Sequence, residues 1–136
     1  MKVLMWYTKK FAYNPTIRTL TDFEEHSEGK TFENVLLAFI QAEEHDSESP
    51  KSVEDKLLKN LKWAAKKNDT RKIVLHSFAH LSESKANPHF TKEIFDKVET
   101  RLLNADYEVA QTPFGYFLDI SLDAPGYSMA RVFKSF

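Results

Sequence analysis

There is no cysteine in this chain of 136 residues. That absence excludes disulfide scaffolds, Cys-ligated zinc, iron–sulfur clusters and thiol nucleophiles, and it fits a reducing compartment. Glycine and proline are sparse, at 3 and 5, too few for a collagen-like or low-complexity chain. No Gly-rich phosphate loop occurs, so a P-loop or dinucleotide-binding reading has no support. No stretch approaches the roughly 20 apolar residues of a spanning helix. The apolar run Met1 to Tyr7 lacks the length and cleavage site of a signal peptide. The expectation is a cytoplasmic protein with no membrane partner. Excess charge is also missing: the net value is −1, which argues against general nucleic-acid binding by phosphate neutralisation. The charges are nevertheless segregated. Thr21 to Glu48 holds nine acids and one base, and Lys51 to Lys72 holds eight bases and three acids. The basic stretch is either a solvated helix face or a local contact for an anionic partner.

What is present is an ordinary globular balance, 42% hydrophobic and 29% charged, in a length that suits one module spanning residues 1–136. No repeat or linker divides it. Lys2 to Thr8 reads as a strand, Lys9 to Thr16 as a loop around Asn14-Pro15, and Ile17 to Glu25 as an exposed or edge strand. Thr31 to Glu43 contains a continuous apolar run, as in a strand buried on both faces. Ser52 is placed as an N-cap. Behind it Val53, Leu57, Leu58, Leu61 and Ala64-Ala65 recur at helical spacing as far as Asn68. Lys72 to Ser77 is a short buried strand. Pro88 opens a second helix through Leu103, and Tyr107 to Gln111 is a strand. Tyr116 to Leu122 and Ser128 to Phe133 read as a hairpin. The expected order is β-β-β-α-β-α-β-β-β, an α/β fold in which one mixed sheet is layered with two helices.

Two polar or aromatic clusters could carry chemistry. His76-Ser77-Phe78-Ala79-His80-Leu81-Ser82-Glu83-Ser84 follows a buried strand, and loops at the carboxyl ends of strands are favoured ligand positions. His80 could act as a hydrogen-bonding or acid/base group, a serine could pair with it as a nucleophile, or His76 and His80 could share a metal. Structural capping and turn bonds explain the same residues equally well. The metal reading is weak because His-x-x-x-His persuades only on a helix. The nucleophile reading is weak because no elbow motif surrounds a serine. Thr112-Pro113-Phe114-Gly115-Tyr116-Phe117 is either an aromatic wall able to stack on a base or a turn whose rings join the core.

Phe78-Ala79-His80-Leu81-Ser82 followed by Thr112-Pro113-Phe114-Gly115-Tyr116 resembles the amino-terminal editing domain of archaeal threonyl-tRNA synthetase, from Lys2 to about Val132. The resemblance implies a fold shared with D-aminoacyl-tRNA deacylases, commonly a homodimer. It implies hydrolysis of serine from mischarged Ser-tRNA(Thr), with the terminal adenosine 2′-hydroxyl assisting water, and no metal or other cofactor. The tRNA 3′ end is the implied partner, with a threonyl-tRNA synthetase as another. His80 matches the pocket histidine. Phe78, Ala79, Leu81, Ser82, Pro113, Phe114, Gly115, Tyr116 and Phe117 match substrate-binding positions. Phe117 stands where the family often has tyrosine, Leu118 where it has a lysine that contributes to catalysis, and Arg131 where it has an acid. Arg131 is expected to replace the lysine from across the hairpin. The alternative implied by these departures is a catalytically degenerate module that binds an aminoacyl-tRNA end, a small ligand or a synthetase.

Overall fold

A computed structural model describes residues 1–136. Strand β1 spans Lys2–Arg18, β2 Lys30–Gln41, β3 Lys72–Ser77, β4 Glu108–Gln111, β5 Tyr116–Asp123 and β6 Arg131–Ser135. Helix α1 spans Pro50–Lys67 and α2 spans Pro88–Asn104. The strands form one mixed sheet in the order β4-β3-β2-β1-β5, with β6 also on β1. β2, β3 and β4 run parallel, while β1 is antiparallel to β2, β5 and β6. The parallel steps need crossovers, which α1 and α2 supply. Both crossovers progress the same way across the sheet, and their apolar stripes pack on the same face.

That helical face holds Val3, Met5, Leu36, Ala38, Ile40, Ile73 and Leu75 beneath Leu57, Leu61, Phe95, Val98 and Leu102. Each such side chain contributes about 1.5–3 kcal/mol when fully buried. The opposite face holds a second apolar cluster of Phe11, Tyr13, Val35, Leu37, Phe39 and Val74. Residues on both sides of β2 are therefore buried, as its unbroken apolar run requires.

Three expectations are corrected. Lys9 to Thr16 is not a loop, and Ile17 opens no separate strand, because β1 runs unbroken to Arg18. The alternation that marks a strand breaks at Lys9–Lys10. Leu4 and Trp6 lie on the second face before it, and Phe11 and Tyr13 lie on that same face after it. β2 makes the matching change, from Phe32 to Val35, across Asn34, whose backbone is left-handed at φ 54. Coordinated irregularities of this kind bend a strand pair without ending it. Beyond them Gly29 lies against β1, where a Cβ would come within 2.4 Å of the Tyr13 carbonyl oxygen. Second, β5 and β6 do not pair with each other. β5 pairs with Lys10–Arg18, β6 pairs with Lys2–Trp6, and Ser128–Ala130 is a short 3-10 turn. Third, α1 starts earlier than placed: Ser49 is its cap and Pro50 its first turn.

Candidate pocket at the carboxyl ends of the parallel strands

β2, β3 and β4 end together, and their continuations build the site. The β3 ladder extends one step further, where the Phe78 amide donates to the Ile40 carbonyl at 3.0 Å. The chain then turns out at Ala79-His80. Beyond β4, the Thr112 amide donates to the Leu75 carbonyl at 3.0 Å, and Pro113-Phe114-Gly115 lead into β5. The two segments enclose a cavity of about 340 Å³, within the range of small-molecule sites. Of the residues expected there, Phe78, Ala79, His80, Pro113, Phe114, Gly115, Tyr116 and Phe117 line it, together with Leu118. His76, Thr19 and Leu20 also line it.

Leu81 and Ser82 do not line the cavity. Leu81 packs against the second apolar cluster. The Ser82 hydroxyl donates to Glu43 Oε2 at 2.7 Å. These residues anchor the pocket loop from behind, and a residue the sequence reading passed over does most of the holding. Gln41 Nε2 donates to the Ser82 and Ser84 carbonyls at 2.8 and 2.9 Å. Its Oε1 accepts from the Leu81 and Ser82 amides at 2.7 and 2.8 Å. The signal for Gln41 was available: a lone amide closing an apolar strand, and 3% exposed. Glu43 completes the clamp. Burial would raise its carboxyl, but bonds from the Met1 α-ammonium, Ser82 and Lys2 outweigh that and bring it to about 2.

Arg131 is absent from the cavity. It pairs across from Trp6 while Leu118 pairs with Pro15, a separation along β1 of roughly 30 Å at strand rise. Its guanidinium lies 5.5 Å from the Trp6 ring centre and donates to the Pro125 carbonyl at 2.9 Å. The hairpin that would have brought it across does not exist, so Arg131 does not replace a lysine at Leu118. Leu118 itself is half-buried against the second cluster.

Gly115 shapes the far wall. It adopts φ +83, and a Cβ there would sit 2.9 Å from Leu20 Cβ. Its carbonyl accepts from the Thr19 and Leu20 amides at 2.7 and 3.2 Å. This close approach requires glycine. The Tyr116 hydroxyl accepts from the His26 amide at 3.0 Å and so fixes the segment after β1. Phe23 from that segment packs edge-on against Phe114 at 4.8 Å.

The chemistry available inside is that of hydrogen-bond donors and imidazole rings. The backbone amides of Ala79 and His80 have no acceptor within the chain, and neither does the His80 ring. Both residues are exposed in a turn. Adjacent free N–H groups at a cavity wall can receive a developing oxyanion. His76 is buried, its Nδ1 sits 2.8 Å from Thr112 Oγ1, and burial lowers its pKa to about 4, so the ring is neutral at pH 7. No carboxylate lines the cavity.

A family model for the archaea-specific editing domain of threonyl-tRNA synthetase matches residues 1–136. The chain is 29% identical over 143 residues to a threonine–tRNA ligase of Hyperthermus butylicus, covering 100% of the chain and 23% of the relative. Over 139 residues it is 32% identical to a threonine–tRNA ligase of Staphylothermus marinus, covering 99% and 22%. It thus spans less than a quarter of the length of these relatives. Among solved structures it is similar to the c-Myc DNA unwinding element binding protein, with a TM-score of 0.69, 10% identity, and coverage of 100% and 99%. That likeness concerns the fold alone, one mixed sheet layered with two helices.

Proposed function

The chain belongs to the archaeal threonyl-tRNA synthetase editing-domain family, and from that premise we propose that it hydrolyses the ester of mischarged Ser-tRNA(Thr). The observation that carries this reading is the turn at Ala79-His80: both residues line the cavity closed by Pro113 to Phe117, and their amides and the His80 imidazole have no partner within the chain. In this reading the aminoacyl group enters that cavity. Water adds to the ester carbonyl, the amides of Ala79 and His80 hold the oxyanion, and the carbon–oxygen bond to the ribose breaks. The 3′-oxygen of the adenosine leaves and takes up a proton, and free serine and tRNA are released. The adenosine 2′-hydroxyl and His80 orient the water and carry its proton. Phe78, Phe114 and Phe117 supply the apolar surface for the terminal base and ribose. Leu81 and Ser82 act from behind, by holding the loop in place.

The biological problem is sound on energetic grounds. Serine and threonine differ by one methyl group, which binding alone separates by about 1–3 kcal/mol. A second site that admits the smaller amino acid widens the difference. The reading includes a homodimer, supported by Phe117 and Ile120 on the edge strand β5 and Ile17 beside them on β1, which are 55%, 43% and 62% exposed. It includes the tRNA 3′ end and a threonyl-tRNA synthetase as partners. The test is release of labelled serine from Ser-tRNA(Thr), with Thr-tRNA(Thr) and a D-aminoacyl-tRNA in parallel. Selective serine release, abolished by Ala79→Phe, is expected. Absence of release from all three at high protein concentration refutes the reading.

A further inference from the structure

Beside that cavity lies a second one of about 150 Å³, walled by Gln41, Ala86, Pro88 and Thr91. Leu20, Ser77, Ala79, Lys85 and Phe114 line both, so the two cavities adjoin along one cleft wall. Lys85 stands at their junction and is the one lysine or arginine in either lining; no aspartate or glutamate lines either cavity. Its ammonium has no salt-bridge or hydrogen-bond partner within the chain, whereas Lys92 and Arg101 on α2 are both paired with carboxylates. A single unpaired cation in a cleft without acids marks a place for one anion. The aminoacyl ester and its amino group bring none. The terminal nucleotide brings one, the phosphate on the 5′ side of its ribose.

We infer that Lys85 binds the 5′-phosphate of the terminal adenosine and so sets which end of the nucleotide enters the cleft. This assignment rests on the editing reading for the identity of the ligand, but it concerns binding and not turnover. Lys85 is exposed, so its replacement leaves the core untouched, and it is a positioning residue because it meets the phosphate and not the reacting ester.

The test compares AMP with adenosine by calorimetric titration at low salt, using the parent, Lys85→Met and Lys85→Arg. AMP is expected to bind the parent about tenfold more tightly than adenosine, as a charge-assisted bond allows. That increment is expected to vanish in Lys85→Met and survive in Lys85→Arg. With deacylated tRNA, Lys85→Met should reduce the slope of log affinity against log salt by about one contact. Equal binding of AMP and adenosine by the parent, no AMP binding, or an increment retained in Lys85→Met would each overturn the assignment. A parent that shows the increment yet deacylates nothing refutes the editing reading and leaves the phosphate contact standing.

Discussion

Replacing Gln41 with leucine should loosen the pocket loop without emptying the core. Gln41 makes four hydrogen bonds to the backbone of Leu81, Ser82 and Ser84, all between 2.7 and 2.9 Å. A net bond is worth about 0.5–1.5 kcal/mol, so four give about 2–6 kcal/mol. Leu81, Ser82 and Ser84 are only half-buried, so water recovers part of the loss and the lower end applies, about 2–3 kcal/mol. Leucine nearly matches the glutamine in volume, so cavity formation adds little. Urea unfolding gives the stability change. Amide exchange then locates it: protection at Leu81 and Ser82 should collapse, while that at Leu37 and Val74 falls only as far as global stability does. A change below about 0.5 kcal/mol, with Leu81 and Ser82 still protected, would refute the claim that this side chain holds the loop.

Other consequences follow from the same geometry. Gly115→Ala places a side chain at φ +83 against Leu20 and should cost about 1–2 kcal/mol or more, read as a lower urea midpoint, with weaker ligand binding in the cavity it walls. His76 has a folded pKa depressed to about 4 from 6.5, so its contribution is fully present above about pH 6.5 and is lost as pH falls toward 4. The parent should lose about 3 kcal/mol over that window, and a His76→Gln variant should show a flatter pH dependence of unfolding. Arg131→Ala should leave serine release within about twofold of the parent, because its guanidinium sits on Trp6 at the other end of β1; a loss of 10²-fold, typical of removing an oxyanion donor, would place it in the chemistry after all.

Much of this architecture was legible from periodicity. The two helices, the buried β2 run and the short β3 strand stand out because their apolar spacing matches one structural repeat. β1 was misread because alternation fails at Lys9–Lys10, where two strands change face together. A local pattern cannot distinguish a bend from an end when the compensating change lies in another strand, across Asn34. Pairing partners were illegible for a similar reason. β5 and β6 are neighbours in sequence separated by a turn, yet each finds a different half of β1. In the candidate site, Phe78 to His80 and Pro113 to Phe117 were visible as clusters. Their convergence depends on β3 and β4 being parallel neighbours. Gln41 and Lys85 were missed because neither belongs to a motif. One acts through four backbone contacts and the other by standing where two cavities meet.

The central claim is that the converging segments form the substrate pocket of an editing module. It is tested most directly by titrating isotopically labelled protein with the non-hydrolysable 3′-amide analogue of seryl-adenosine and following amide chemical shifts. The largest shifts are expected at Ala79 and His80, with further shifts at Phe114 to Phe117, and their loss in Ala79→Phe. Shifts confined instead to the charged outer surface of α2, around Lys92 to Arg101, or none at saturating ligand, would contradict it.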